Sequence, residues 1–103
     1  MNKSELVNAF VSETNWSKGE AEVAVATLVN LISDTVASGE KVSLPGFGTF
    51  ERRERPARTG RNPATGEEIK IAKTKAPAFK AGTTFKKYVA MSQKDQKAFR
   101  AAR

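Results

Sequence analysis

Arg52, Arg53, Arg55, Arg58 and Arg61 place five guanidinium groups within ten consecutive residues, and Lys70, Lys73 and Lys75 follow close behind. A guanidinium stays charged at every physiological pH, so such a run suits holding phosphates and poorly suits moving protons. Near its middle lies Gly60-Arg61-Asn62-Pro63-Ala64-Thr65-Gly66, a stretch rich in turn formers. The chemistry on offer is a grip on a polyanion.

The rest of the composition narrows the field. The chain has no cysteine and no histidine, so disulfides and thiol catalysis are excluded and zinc loses both of its usual ligands. A catalyst built here would need carboxylates or a lysine in a pocket, yet the acidic residues fall mostly on predicted helix faces. No enzymatic activity, metal or cofactor is therefore expected. The net charge of +7 by itself suits solubility as well as it suits a polyanion. Its distribution decides between them. Residues 1–50 hold three basic residues (Lys3, Lys18, Lys41) against six acidic ones, whereas residues 51–103 hold fifteen against five. Charge that serves only solubility has no reason to segregate in this way. The opening residues MNKSELVNAF lack the apolar stretch of a signal peptide, no run approaches the length of a membrane span, and the absence of disulfides fits a reducing cytoplasm.

The elements that must position these cations are legible in part. Leu6, Val7, Phe10 and Val11 recur at helical spacing over 3–14, with Asn2 as cap and Glu5 three residues later. Ser17-Lys18-Gly19-Glu20 has capping-box form and opens a helix to about Ala37. Its stripe is Ala21, Ala24, Val25, Leu28, Ile32 and Val36, and Gly39 stops it. Trp16, at the joint, reads as a packing residue. Lys41–Leu44 alternates like a half-buried strand, Pro45-Gly46 is a turn, and Phe47-Gly48-Thr49-Phe50 begins a second strand. A last helix opens at Gly82-Thr83-Thr84 with Phe85 and Val89 on its inner face. The tail Ser92–Arg103 is polar and basic, with Ser92 as a helix cap.

Between Glu51 and Ala76 the only large apolar residues are Ile69 and Ile71. A disordered basic loop is one reading of this stretch. The simplest ordered geometry is a β-ribbon that runs out, turns near Asn62-Pro63 and returns. So little apolar surface cannot build a core, so the ribbon must project and be mobile without a partner. What is left is too small to be comfortably stable alone. Phe47, Phe50, Phe79 and Phe85 cluster beside the arm's roots, which is more aromatic surface than a thin sheet needs. Pairing two copies would bury it, and a two-fold dimer is the default solution. The expected dimer core is Phe47, Phe50 and Phe79.

At these residues the sequence resembles the HU and integration host factor family of bacteria. The resemblance is carried by Gly46-Phe47-Gly48-Thr49-Phe50, by Arg58-Thr59-Gly60-Arg61-Asn62-Pro63-Ala64-Thr65-Gly66, by Ala76-Pro77-Ala78-Phe79-Lys80-Ala81-Gly82, and by the opening Met1-Asn2-Lys3-Ser4-Glu5-Leu6. It covers residues 1 to about 90, which implies a DNA-binding domain over 1–90, with its arm at about 51–76, and a basic tail over 91–103. The implied fold is α+β: an intertwined homodimer with a helical base, a three-stranded antiparallel sheet saddle and one β-ribbon arm per subunit. The implied partner is double-stranded DNA in the nucleoid, with bent, nicked or junction forms favoured. Carried over residue by residue, DNA contact falls on Arg53, Arg55, Arg58, Arg61, Asn62 and Pro63 of the arm, and on Lys3, Lys75, Lys80 and Lys86 of the saddle and flanks. Pro63 is the implied wedge between base pairs, with Arg61 and Asn62 free to hold groove edges and phosphates. HU and integration host factor are standing examples of this mode of binding, so the wedge belongs to the family and is not read from the residues. Two departures stand out: Thr83 occupies a position often basic in the family, and the tail exceeds a minimal member. The alternatives are a sequence-specific integration-host-factor-type subunit and an RNA-binding protein, though the aromatic stacking platform of the latter is not evident.

Overall fold

The computed structural model describes all residues, Met1–Arg103, as two compact units, Met1–Thr35 and Val36–Arg103. In the first, α1 (Lys3–Thr14) begins where Asn2 Oδ1 accepts the Glu5 N–H at 2.9 Å. It ends at Asn15 in the left-handed region, whose N–H reaches the Val11 carbonyl at 2.8 Å. The helix α2 (Lys18–Ala37) starts on a variant of the expected capping box: the Glu20 N–H donates to Ser17 Oγ, and the Ser17 hydroxyl donates back to Glu20 Oε1. Val7, Ala21 and Val25 form the buried core, with Phe10 and Val11 packed on it. Trp16 does pack, edge-on to Phe10 at 5.4 Å, yet remains half exposed. Leu28, which the sequence places on the inner stripe, is exposed, as are Val29 and Leu31.

In the second unit β1 (Val42–Leu44), β2 (Gly48–Arg55) and β5 (Thr74–Ala81) form an antiparallel sheet in the order β1-β2-β5. Phe47 belongs to the turn before β2, where its N–H bonds the Leu44 carbonyl, and not to the strand expected to begin there. Gly48 opens β2 because a Cβ at that position would overlap the Phe79 ring and the Lys80 carbonyl. Phe50 pairs directly with Phe79, their rings 4.6 Å apart, while Phe47 stacks on Phe85 at 4.9 Å.

β3 (Arg58–Arg61) and β4 (Glu68–Ile71) form a separate two-stranded sheet. The chain closes with α3 (Thr83–Ala90) and α4 (Gln93–Ala102). Ser92 caps α4 as its residue type suggests, its Oγ accepting the Asp95 N–H at 3.3 Å. Phe99 stands edge-on to Tyr88 at 4.7 Å, and Arg100 donates to the Tyr88 hydroxyl at 2.7 Å. The inner face of α3 is accordingly Phe85 and Tyr88. Val89 is 62% exposed, against expectation, because α4 covers the tyrosine side of the helix.

Candidate nucleic-acid interface

The arm is a ribbon in two segments. β2 pairs with β5 as far as Arg55 opposite Thr74, and pairing resumes with Arg58 opposite Ile71. The interruption skips two residues on each strand, Pro56-Ala57 and Ala72-Lys73, so the register carries straight through it. Pro56 has no N–H to give to a ladder, which accounts for a break on its own strand. The continuous ribbon expected over 51–76 is thus divided at its middle.

Alternation along the strands sorts the cations by face. In the inner segment Glu51, Arg53 and Arg55 share a face with Lys80, opposite the face that carries Phe50 and Phe79. Lys75 emerges on the aromatic face, across from Glu54. In the outer segment Arg58 and Gly60 lie with Ile71 and Ile69, while Thr59 and Arg61 lie with Lys70 and Glu68. The two isoleucines, both on β4, therefore form one small apolar strip along that strand.

Glu51 is the electrostatic centre of the inner face. Lys41 Nζ lies 3.6 Å and Arg53 Nε 3.4 Å from its carboxylate oxygens, and its side chain is only 13% exposed. Burial pushes the carboxyl up. The charge of Lys80, the hydrogen bond from Arg53 and the charge of Lys41 outweigh that and hold it below the usual carboxylate range. Glu54 is held between Arg52 at 3.7 Å and Lys73 at 3.3 Å. Arg52 also donates to the Ala37 carbonyl at 3.1 Å, at the C-terminus of α2, where a cation is favoured. It serves the fold rather than the surface.

Both carboxylates, Glu51 and Glu54, lie in the inner segment, and Lys73 reaches Glu54 from the interruption. Arg55, at the end of that segment, and Arg58, Arg61 and Lys70 beyond it have no carboxylate within 4.0 Å. At the tip, Pro63, Ala64 and Thr65 are exposed between Asn62 and Gly66. Asn62, expected to be free, uses its carboxamide oxygen to accept the Ala64 N–H at 2.9 Å, so its side chain is engaged within the loop.

Arg53, Arg55, Arg58, Arg61, Asn62, Pro63, Lys75 and Lys80 thus belong to one arm, shared between its inner segment, its outer segment and its tip. Lys86 lies exposed on α3, and Lys3 is the first residue of α1, in the other unit. Sequence reasoning does not single out Lys41, although the alternation of Lys41-Val42-Ser43-Leu44 already puts it opposite Val42. Only the register, which sets Val42 against Phe50, brings it to Glu51.

The family described as bacterial DNA-binding protein matches residues 1–90. The chain is 54% identical over 86 residues to DNA-binding protein HU-1 of Halalkalibacterium halodurans, covering 84% of this chain and 96% of that one. To DNA-binding protein HU 1 of Bacillus subtilis it is 51% identical over 90 residues, covering 87% and 98%. Among solved structures, the Anabaena HU–DNA cocrystal structure superposes with a TM-score of 0.81 at 46% identity, over 89% of this chain and all of that one. HU from Thermotoga maritima gives 0.61 at 27% identity, over 86% of this chain and 98% of that one. Residues 91–103, including α4, lie beyond the family match.

Proposed function

Because the chain belongs to the family of bacterial DNA-binding proteins that includes HU, we propose that it is a histone-like protein that bends and compacts DNA with little regard to sequence. Its β3–β4 arms enter the minor groove and Pro63 wedges between base pairs. It is not an enzyme. The observation that carries the reading is the contrast along the arm: Glu51 and Glu54 of the inner segment are paired with Lys41, Arg52, Arg53 and Lys73, while Arg55, Arg58, Arg61 and Lys70 have no acidic partner and lead to an exposed proline. Such free cations are available to phosphates, and their neutralisation releases condensed counterions. One similar protein, the HU of Anabaena, has been solved with DNA.

The working unit is a homodimer. Phe47 and Phe79 are 42% and 41% exposed, and with Phe50 they make an aromatic surface that one copy leaves uncovered. Exposed Leu28, Val29 and Leu31 on α2 add a second such surface. Patches of this kind mark association sites. Residues 1–90 are the DNA-binding domain and 91–103 an appended tail. Arg53, Arg55, Arg58, Arg61, Asn62 and Pro63 act on the arm, with Lys3, Lys75, Lys80 and Lys86 on saddle and flanks. The protein is nucleoid-associated and, in this reading, cytoplasmic.

Gel-shift affinities for linear, nicked and four-way-junction DNA at two salt concentrations test the proposal. The expected result is a steep fall with salt and tighter binding to the nicked and junction forms. A preference for one sequence over random DNA above about a thousandfold, where specific binders begin, would overturn it in favour of an integration-host-factor-type subunit.

A further inference from the structure

One residue holds the tip of the arm together. Asn62 donates its backbone N–H to the Glu67 carbonyl at 2.8 Å, and its own carbonyl accepts the Gly66 N–H at 2.7 Å. Its Oδ1 accepts the Ala64 N–H at 2.9 Å. The backbone pair closes the base of the loop. The side-chain bond is an Asx turn that folds directly over Pro63. Asn62 is half-buried while the three residues after it are exposed, and Gly66 completes the turn at φ +71°, a conformation that favours glycine.

Pro63 has no amide hydrogen, so the first N–H after Arg61 and Asn62 that could enter a base stack with the wedge is that of Ala64. Left unpaired there, it would be a buried donor without an acceptor, which is unfavourable. Asn62 Oδ1 removes it. The same bond fixes the path of the chain on both sides of the proline ring. We infer that Asn62 is a positioning residue for Pro63: it aims the wedge and silences the neighbouring donor, and does not act as a DNA ligand through its carboxamide. The inference rests on the wedge reading above.

Asn62→Asp keeps an oxygen for the Ala64 N–H but replaces the amide donor with an anion. Asn62→Ala removes both groups. Energy transfer between the ends of a short duplex, at saturating dimer, reads the bend, and a titration at two salt concentrations reads the affinity. Asn62→Ala is expected to lose most of the bend, as Pro63→Ala does. Asn62→Asp is expected to keep the bend at saturation while binding more weakly, most visibly at low salt. The Asn62→Ala/Pro63→Ala double variant is expected to bend DNA no less than Pro63→Ala alone, because the asparagine acts through the proline. A bend lost equally in Asn62→Asp and Asn62→Ala, or a double variant clearly worse than Pro63→Ala, overturns the inference and makes the carboxamide a ligand in its own right. Normal bending by Asn62→Ala beside a defective Pro63→Ala removes the positioning role alone. Normal bending by Pro63→Ala removes the wedge and the positioning role together.

Discussion

Arg58 and Arg61 lie three residues apart on one strand and so point to opposite faces of the outer ribbon. A ribbon lying in a groove can then reach the phosphates on both of its walls. Arg58→Ala or Arg61→Ala should lower affinity on every DNA form. Each should flatten the plot of log affinity against log salt by roughly 0.9 for every phosphate no longer neutralised, measured by titration across a salt series. Pro63→Ala should do the reverse, bending intact duplex less while keeping most of the salt-dependent affinity, because the arginines remain. At a nick the stack is already broken, so the preference for nicked over intact DNA should shrink in the same variant. Glu51 makes a third case. Its carboxyl sits below the ordinary carboxylate range in the folded protein, so its ionised form stabilises the fold above the unfolded value of about 4.5, and that contribution disappears as pH falls through the folded value. Thermal unfolding should therefore show the parent more stable than Glu51→Gln at pH 7, with the difference vanishing in strong acid. Glu51→Gln should also bind DNA more tightly, since Arg53 and Lys80 lose an internal competitor.

At the level of elements, the ends of helices are readable because capping is local: Asn2, Ser17 and Ser92 each act within three residues of themselves. The division of the arm is not readable. Pro56 signals a break on one strand, but Ala72-Lys73 on the other contains no breaker and becomes irregular only because it faces Pro56-Ala57. The same limit hides Lys41 and misplaces Val89, since cross-strand register and the docking of α4 are tertiary facts. Asn62 shows how type and role can part: asparagine in a turn is evident, but not which of its groups the turn consumes. Two tests belong here. Amide exchange should be fast throughout β3 and β4 in the free protein and slow on DNA, because only Ile69 and Ile71 offer the ribbon apolar support. Phe99→Ala should release α4 at a cost of about 1 kcal/mol, the scale of an aromatic pair, seen as a lower melting temperature.

For the whole molecule the exposed apolar surface is the governing fact. Phe47 touches Phe50, Phe79 and Phe85, yet remains two-fifths exposed in one chain. The groove lined by Pro45, Phe47, Phe85, Tyr88 and Phe99 continues the same surface. Sedimentation at micromolar concentration should show a dimer without DNA, and Phe47→Ala or Phe79→Ala should shift the mass toward monomer with partial unfolding. A well-folded parent monomer under those conditions would remove the basis for paired arms. Two-fold symmetry would supply two Pro63 wedges and two sets of free arginines from one short sequence.

The chain has one tryptophan and one tyrosine, and they fall in different units. Trp16 stands against Phe10 where α1 meets α2, and Tyr88 is bound by Phe99 and Arg100 between α3 and α4. Each half thus carries its own optical label. Indole fluorescence follows the fate of the first helices, and phenol absorbance follows the docking of the last. A denaturant titration read at both wavelengths can report, with no dye attached, whether the two halves melt as one cooperative body or in succession.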